Sequence, residues 1–474
     1  MPAPLATLPG TPATPGVVEI PARVGARAVL GSAPRTLTDA AGRAVATVGA
    51  TGRLVHFQMA DLAGRTAPLL RRMPDDEWYG VLRTAAAMVR AELDSGASEG
   101  VLRALSASCG LPLYRLRHGV RTVAGDLARM DEILAAQSPD GTLAPFRTGV
   151  VAGRPWRWQP AGRSVFVRVP ANFPTIVAEW LQALAARRPV LLGTSPADPF
   201  SSHLFADALY RAGLPDGAIS IAHGDAAALC RMADQVLWPG LEAPADVPVG
   251  TLKTYHFGRS KAVLTDAEPD PEVWPRLARM AAHGCGRLCT NLSGLAVSGD
   301  AHAAARKLAE ALAVPVLPLD ADRALVPAFP DRARAEELGR LIDQEIAAGA
   351  VDVSAEVTGL PPRVDLDGLA YLRPTVLLVD AESPLWGREL PFPFVTVAKF
   401  PRSRLRAACA GSLIVAVPGD EPDLVEQLAE EPTVNKVFGG DDFDHGYDPI
   451  DPHEGYLADF LFHKKAVLTR SGTT

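Results

Sequence analysis

The alternation of apolar strands and amphipathic helices that begins at Ser164 limits the fold of this chain more than any other feature. SVFVRVP is followed by helix-like FPTIVAEWLQALAARR, strand-like PVLLGTS, helix-like PFSSHLFADALYRAG and strand-like GAISIAHGD. Strands that alternate with helices of this length are typical of a parallel, doubly wound sheet, because each return to a parallel strand requires a crossover. The pattern predicts an α/β domain.

A second set of alternating elements follows and predicts another α/β layer. DPEVWPRLARMAAHGCGRLC indicates a helix that leads into a loop at Cys289, LSGLAVSG a strand and AHAAARKLAEAL a helix. RARAEELGRLIDQEIAAGA is helical in its spacing, whereas YLRPTVLLVD, FVTVAKF and SLIVAVPGD are apolar strands bounded by Pro, Gly or Asp. The first 140 residues are largely helical after a short β-like start, with helical spacing over 75–93 and 119–137.

The chain has 474 residues, of which 48% are hydrophobic, and this length predicts two or three domains. We divide it into a disordered N-terminus (1–16), a helical region joined to the first α/β domain (17–250), the second α/β domain (251–435) and a C-terminal tail (436–474). No low-complexity linker marks the boundary near Thr251.

Composition and charge exclude several classes of protein. The net charge of -7 comes from 47 basic and 54 acidic residues spread along the chain, which predicts no nucleic-acid partner. The five cysteines form neither a disulfide framework nor a zinc-site spacing. The first 16 residues lack the features of a signal peptide, and no apolar run reaches the length of a membrane span. We expect a cytoplasmic protein with reduced thiols.

Cys289 is the candidate nucleophile. It lies in HGCGRLCT, a loop that can expose a thiol to a cleft between a helix and a strand. A free thiol with a pKa of about 8.5 needs nearby donors or positive charge to form the reactive thiolate. The alternative is a buried, inert cysteine, which is the commoner state of any one cysteine. Cys285, four residues earlier, fits that alternative.

Asn172 and the LWPG sequence at 237–240 are two further candidates. Asn172, in VPANFPT, follows a strand and precedes a helix, so its amide can either stabilise an oxyanion or cap the helix that begins near Pro174. Neither GxGxxG nor the P-loop motif occurs in the chain, which leaves LWPG as the best candidate for a phosphate-binding turn.

Two segments near the C-terminus, DDFDHGYDP and DPHEGY, raise the question of a metal site. Their acidic and imidazole side chains are Asp441, Asp442, Asp444, His445, His453 and Glu454. The chain has no HExxH motif, and Pro and Gly break this region into loops. We therefore predict a solvated loop with capping carboxylates and no metal.

Segments between 155 and 400, about half the chain, resemble the aldehyde dehydrogenase superfamily. ANFP at 171–174 resembles its oxyanion-asparagine motif, AGLPDGAISIAHGD the turn and strand before its cofactor loop, and GRLCT at 286–290 its nucleophile motif. RPTVLLVD followed by ELPFPFVTV resembles the strand and the glutamate motif that holds the nicotinamide ribose. The resemblance implies two doubly wound α/β domains, cofactor-binding and catalytic, with a helical N-terminal region and a small oligomerisation element.

The resemblance also implies the roles of individual residues. Cys289 is the nucleophile, and its backbone N–H and Asn172 hold the oxyanion. The implied cofactor-binding residues are Ser195, Trp238, Gly240 and Glu389. RPWRWQPAGR at 154–163 lies where the superfamily has its oligomerisation hairpin, which implies a homo-oligomer.

The departures from the family pattern are informative. In YHFGRSKAV, His256 occupies the position of the general-base glutamate, where it either acts as a base or supports the site without contacting the substrate. Gly193 and Pro196 replace the Lys and Glu that bind the adenosine ribose in the family. The expected cofactor is NADPH or NADH. NADP is favoured, because loss of that Glu removes its repulsion of a 2'-phosphate. Pro391 and Phe392 replace the usual Phe and Gly after the motif glutamate.

A thioacyl-enzyme without a base to activate water favours transfer to or from a thiol. The missing base and the helical N-terminal third resemble the acyl-CoA or acyl-protein reductases of bacterial bioluminescence. The sequence therefore predicts NAD(P)H-dependent reduction of an acyl or aryl thioester, carried by coenzyme A or a carrier protein, to an aldehyde through Cys289. Two alternatives stay open: a hydrolytic NAD(P)-dependent aldehyde dehydrogenase in which His256 or another residue activates water, and a degenerate member that binds cofactor or partner without turnover.

Overall fold

The computed structural model describes residues 16–466 except 32, 138–147, 152–153, 241–243, 245, 256 and 266–268. The segment predicted to be disordered, 1–16, lies outside the described residues apart from Gly16, and so does His256. In the described part of the chain, none of the helices has the length and apolar character needed to cross a membrane.

The N-terminal region is helical after a short β start, as the sequence predicts. Its strands are β1 Val18–Ile20, β2 Ala22–Val24, β3 Arg27–Val29, β4 Arg35–Thr38 and β5 Ala44–Val48. Its helices are α1 Arg53–Arg72, α2 Asp75–Asp94, α3 Glu99–Cys109, α4 Leu113–Ala128 and α5 Met130–Ala136. The helix predicted over 119–137 is divided between α4 and α5, because the backbone of Arg129 leaves helical geometry at φ -110 and ψ 27.

The first α/β domain follows. Its strands are β6 Thr148–Val151, β7 Arg154–Pro160, β8 Val165–Val169, β9 Val190–Thr194, β10 Ile219–Ala222, β11 Gln235–Pro239 and β12 Leu252–Tyr255. Its helices are α6 Val177–Ala185, α7 Ser201–Arg211 and α8 Ala227–Cys230. In the described residues β12-β11-β8-β9-β10-β2-β3 form one seven-stranded sheet, in which β8 to β12 are parallel and β2 and β3 add an antiparallel edge.

This sheet extends past the boundary that we place at 250–251. Strand β12 pairs in parallel with β11, with Trp238 opposite Thr254, so the first domain continues to Tyr255. The sequence did not reveal this strand because LKTY is short and follows residues without a clear period. The N-terminal helices pack against the same domain: the buried indole of Trp78 in α2 donates a hydrogen bond of 2.9 Å to the Ala185 carbonyl at the end of α6.

The second α/β domain is built in the same way. Its strands are β13 Lys261–Leu264, β14 Gly294–Val297, β15 Ala328–Phe329, β16 Val351–Asp352, β17 Arg363–Leu366, β18 Leu369–Leu372, β19 Thr375–Leu378, β20 Phe394–Lys399, β21 Ile414–Val417 and β22 Lys436–Gly439. Its helices are α9 Val273–Ala282, α10 Ala301–Leu312, α11 Arg332–Ala347, α12 Val353–Thr358, α13 Leu405–Ala408 and α14 Pro422–Ala429. The described strands form a seven-stranded sheet in the order β16-β19-β20-β14-β13-β21-β22, parallel except for β16.

The segment predicted to be a C-terminal tail, 436–474, contains two strands and an α-helix in its described part. Strand β22 closes one edge of the second sheet by pairing in parallel with β21. After α15 Leu457–Leu461, β23 Phe462–Ala466 pairs antiparallel with β7, which lies within the segment 154–163 for which the resemblance implies oligomerisation. The polypeptide between β22 and β23 therefore returns from the second domain to the first and passes the junction between them.

Candidate active site

Three predicted site residues follow the carboxyl ends of neighbouring parallel strands. Strands β11, β8 and β9 lie side by side, and Gly240, Asn172 and Ser195 come soon after their last residues. In open α/β sheets ligands bind in the crevice outside these ends. The order of the strands thus gathers residues that are up to 68 positions apart in the sequence, from 172 to 240.

These residues line a cavity of about 490 Å³ that also reaches the second domain. The predicted site residues on its wall are Asn172, Ser195, Gly240, Cys289 and Glu389. The ring of Trp238 lies behind this wall, stacked on Phe166 with the ring centroids 6.3 Å apart. The guanidinium of Arg168, which also lines the cavity, lies over the face of Trp238 at 5.1 Å from its centroid.

Asn172 does not cap the helix that follows it. The short 3-10 turn Pro174–Ile176 has Phe173 at its N-cap position and α6 has Ile176, and neither cap makes a side-chain hydrogen bond. The amide of Asn172 is exposed on the cavity wall. This geometry leaves its N–H groups available to a bound carbonyl oxygen.

A turn with left-handed backbone conformation directs the Cys289 loop towards the cavity. After α9, Gly284, Cys285 and Gly286 have φ of 52°, 61° and 72°, a conformation that L residues other than glycine adopt at a cost. A Cβ at Gly286 would lie 2.3 Å from the carbonyl carbon of Phe392, so the backbones meet where only glycine fits. Cys285 is fully buried in this turn, and burial raises the pKa of its thiol to about 11.

The side chain of Asn291 fixes the far side of this loop. Its Oδ1 accepts a hydrogen bond of 2.7 Å from the Leu288 N–H, and its Nδ2 donates to the carbonyls of Met280 at 2.8 Å and His283 at 2.7 Å. Buried amides stabilise a loop when their donors and acceptors are satisfied, since an unpaired buried group is costly. Asn291 therefore ties the Cys289 loop to the end of α9.

The backbone of Cys289 is held from the junction of the two domains. Ser260 Oγ donates a hydrogen bond of 3.0 Å to the Cys289 carbonyl, and a Cβ at Gly258 would lie 1.8 Å from the same oxygen. The Gly258 backbone can approach this closely only because it has no side chain. The thiol is thus placed by contacts that leave its sulfur free to face the cavity.

The structure brings His453 to the sulfur of Cys289. His453 Nε2 lies 3.1 Å from Cys289 Sγ, and its ring meets the rings of Tyr255 and Tyr447 edge-on, each with centroids 5.4 Å away. The prediction of a solvated loop is wrong at this residue. Because β22 belongs to the second sheet, the loop that follows it crosses the cavity, and Lys436 Nζ holds the His453 carbonyl at 2.8 Å.

The electrostatics of the pair favour a neutral thiol beside a neutral imidazole. Burial, reinforced by Glu389 and Glu179, raises the pKa of Cys289 to about 12. Burial, reinforced by the charge of Lys436, lowers the pKa of His453 to about 3. Imidazole therefore stays unprotonated at neutral pH and can accept a proton.

Glu389 faces the same cavity from the second domain. Its carboxylate accepts a hydrogen bond from the Arg259 backbone N–H. Burial raises the pKa of Glu389 to about 7 despite this bond, so it is poised between its two protonation states at physiological pH.

Sequence reasoning missed His453, Tyr255 and Glu179 as site residues. The Tyr255 hydroxyl donates a hydrogen bond of 2.8 Å to Glu179 Oε2, and all three side chains line the cavity. A signal existed for His453, since its imidazole lies in an acidic, Gly-rich and Pro-rich segment, but we interpreted this segment as a solvated loop. In the described residues no cluster of three or more His, Cys, Asp or Glu side chains could hold a metal ion.

Solved aldehyde dehydrogenases have the same fold as this chain. A succinate-semialdehyde dehydrogenase from Burkholderia pseudomallei superimposes with a TM-score of 0.76 at 18% identity, over 94% of this chain and 97% of that one. An NAD-dependent benzaldehyde dehydrogenase from Corynebacterium glutamicum gives a TM-score of 0.75 at 17% identity, over 94% and 98%. The aldehyde dehydrogenase-like α/β fold predicted from the sequence is confirmed.

The similarity in sequence is more limited. A malonate-semialdehyde dehydrogenase from Pseudomonas aeruginosa is 28% identical over 177 residues, which are 34% of this chain and 34% of that protein. The match thus spans about a third of the relative's length. No protein-family model matches the chain. The closer resemblance to acyl-CoA reductases stays a prediction.

Proposed function

We propose that this protein is a nicotinamide-dependent aldehyde dehydrogenase that oxidises an aldehyde to a carboxylic acid through a thioester at Cys289. The observation that carries the proposal is the cavity that Cys289, Asn172 and Glu389 share with the strand ends of the first domain. This is the hydrolytic alternative of the sequence analysis. It takes precedence over thioester reduction because the similar proteins are named as dehydrogenases of semialdehydes and of benzaldehyde.

The walls of the cavity fit a dinucleotide. It opens at the carboxyl ends of β8, β9 and β11, and Arg168 makes no ion pair with any described residue, so its charge is available to a diphosphate. Glu389 would hold the nicotinamide ribose, and the turn at Gly240 would lie against the diphosphate. A bound nicotinamide supplies the acceptor for the hydride of the substrate.

We also propose that NADP is preferred. Arg35 Nη2 donates a hydrogen bond of 3.0 Å to the Pro196 carbonyl, beside the position where the family resemblance implies a ribose-binding carboxylate. The guanidinium has further N–H groups that can meet a phosphate. The positive charge of Arg35 therefore lies beside the position of the implied carboxylate, which would have repelled the 2'-phosphate of NADP.

The residues of this chain then act in a defined order. The Cys289 sulfur adds to the aldehyde carbon, while the amide of Asn172 and the Cys289 backbone N–H stabilise the negative oxygen that forms. Loss of hydride leaves a thioester on Cys289. Water then cleaves this thioester and releases the acid, a step that needs a base.

Product analysis tests the proposal. Aliphatic semialdehydes and benzaldehydes are incubated with NADP⁺ or NAD⁺, the nicotinamide absorbance is followed and the product is identified by mass spectrometry. We expect free acid from the wild type and from Cys285→Ala, and none from Cys289→Ala. In the parallel reaction, acyl-CoA and NADPH are supplied. Rapid aldehyde release from the thioester together with no acid from any aldehyde would instead support the reductase.

A further inference from the structure

We propose that His453 is the general base that deprotonates the Cys289 thiol and then activates water against the Cys289 thioester, in place of the glutamate that this chain lacks. The inference rests on the proposed function, because it assigns a role in the same reaction. The resemblance gave no such role to any residue of the C-terminal segment, and the residue that it placed in the base position was His256.

The first argument is the geometry around the imidazole. Nε2 is 3.1 Å from the sulfur, within reach of the thiol proton. In the thioester the carbonyl carbon is one bond from that sulfur, so a water molecule held by Nε2 would lie beside the carbon that it must attack. Cys289 and His453 both line the cavity, so the sulfur and Nε2 can be reached from the same space.

The second argument is that packing fixes the ring without occupying its nitrogens. Tyr255 and Tyr447 contact the ring edge-on from two sides, and the hydroxyl of Tyr255 is itself held by Glu179. Nδ1 is buried and has no hydrogen-bond partner among the described residues. Buried histidines with a structural role normally satisfy their nitrogens. Among the described residues, the polar contact of the His453 ring is the Cys289 thiol.

The third argument is the charge around the imidazole. The titratable side chains that surround the pair are Tyr255, Tyr447, Lys253, Lys436, Glu179, Glu389 and Glu454. Burial, reinforced by Lys436 and Lys253, keeps the His453 imidazole unprotonated at neutral pH, and burial, reinforced by the carboxylates, keeps the Cys289 thiol protonated. The proton therefore stays on the sulfur in the empty site and passes to the imidazole only as the sulfur bonds to the substrate. His453 therefore does not have to lose a proton before it can act as the base.

The proton balance is complete. Nε2 accepts the thiol proton as sulfur bonds to the aldehyde carbon, and this proton leaves to solvent after hydride loss. Nε2 then accepts a proton from water as the water oxygen bonds to the thioester carbon. The C–S bond breaks, the acid departs, and the imidazolium returns its proton to the sulfur. One water is consumed and one proton is released for each aldehyde oxidised.

The test uses p-nitrophenyl acetate, which acylates a thiol without any cofactor and releases a coloured phenolate. In stopped flow the burst amplitude counts acylated Cys289, and the steady state reports deacylation by water. In wild type we expect one phenolate per active site followed by turnover. In His453→Gln the amplitude should persist, while the burst rate and the steady-state rate each fall by about a hundredfold or more.

Two controls separate a base from a packing residue. His445→Gln removes an imidazole that is half exposed and lies in the same C-terminal segment, and both rates should be unchanged. In His453→Ala, added imidazole should restore deacylation, because the base can enter the space left by the ring. Thermal unfolding by circular dichroism confirms that each variant is folded.

The outcomes distinguish this inference from the proposed function. If His453→Gln and folded His453→Ala keep the wild-type deacylation rate, or if imidazole gives no rescue of a slow His453→Ala, His453 is not the base. If wild type shows no burst, or if Cys289→Ala shows the same burst, the nucleophile assignment and the proposed function fail instead.

Discussion

Cys289 should react with iodoacetamide more slowly than an ordinary cysteine, although it lines an open cavity. Its pKa is about 12, so at pH 8 about one molecule in ten thousand carries the thiolate, compared with about a quarter for a free thiol of pKa about 8.5. The higher intrinsic nucleophilicity of the more basic thiolate recovers about thirtyfold of this difference. The net expectation is alkylation about a hundredfold slower than that of free cysteine.

The pH dependence gives the sharper test. Because the pKa is raised, the thiolate fraction grows about tenfold for each pH unit up to about pH 11, and the rate should follow it without a plateau. Peptide mapping by mass spectrometry identifies the labelled cysteine, and Cys289→Ser should remove the signal because Cys109, Cys230, Cys285 and Cys409 are buried. A rate that levels off between pH 7 and pH 9 would refute the argument from burial.

Three further predictions follow from contacts in the site. Asn172→Ala should lower turnover by about a hundredfold or more with an unchanged unfolding temperature, and a loss of only a few-fold would contradict an oxyanion role. Arg35→Gln should raise the Kd of NADP⁺ by about tenfold in a fluorescence titration and leave that of NAD⁺ unchanged, whereas equal weakening would point away from the 2'-phosphate. Asn291→Ala should lower the free energy of unfolding in urea by about 2 to 4 kcal/mol, because buried groups lose their partners, and a neutral effect would show that the Cys289 loop is held in another way.

The sequence was most informative where residues follow strands. The resemblance implied roles for Asn172, Ser195 and Gly240, and the structure explains why they lie together: parallel strands bring the residues after their carboxyl ends to one edge of the sheet. Cys289 could be predicted because glycines precede it between a helix and a strand. In all these cases local pattern and global fold agree.

His453 could not be predicted in the same way. It is 164 residues from Cys289 in the sequence, in a segment without helical or strand periodicity, and only the pairing of β22 with β21 directs that segment across the cavity. The same limit hid strand β12 next to Thr251, since a four-residue strand has too few positions to show a period. The position of His453 and the last strand of the first sheet both depend on pairing between distant segments, not on local sequence preference.

The proposed role of His453 gives the route of the polypeptide from β22 to β23 a consequence for the order of synthesis. A nascent chain that has emerged from the ribosome only as far as β21 already contains Cys289 and Asn172, but it lacks His453, which we propose as the base. The imidazole arrives only when the segment after β22 folds back over the junction and β23 pairs with β7. With His453 as the proposed base, catalytic competence is among the last properties that the growing chain acquires.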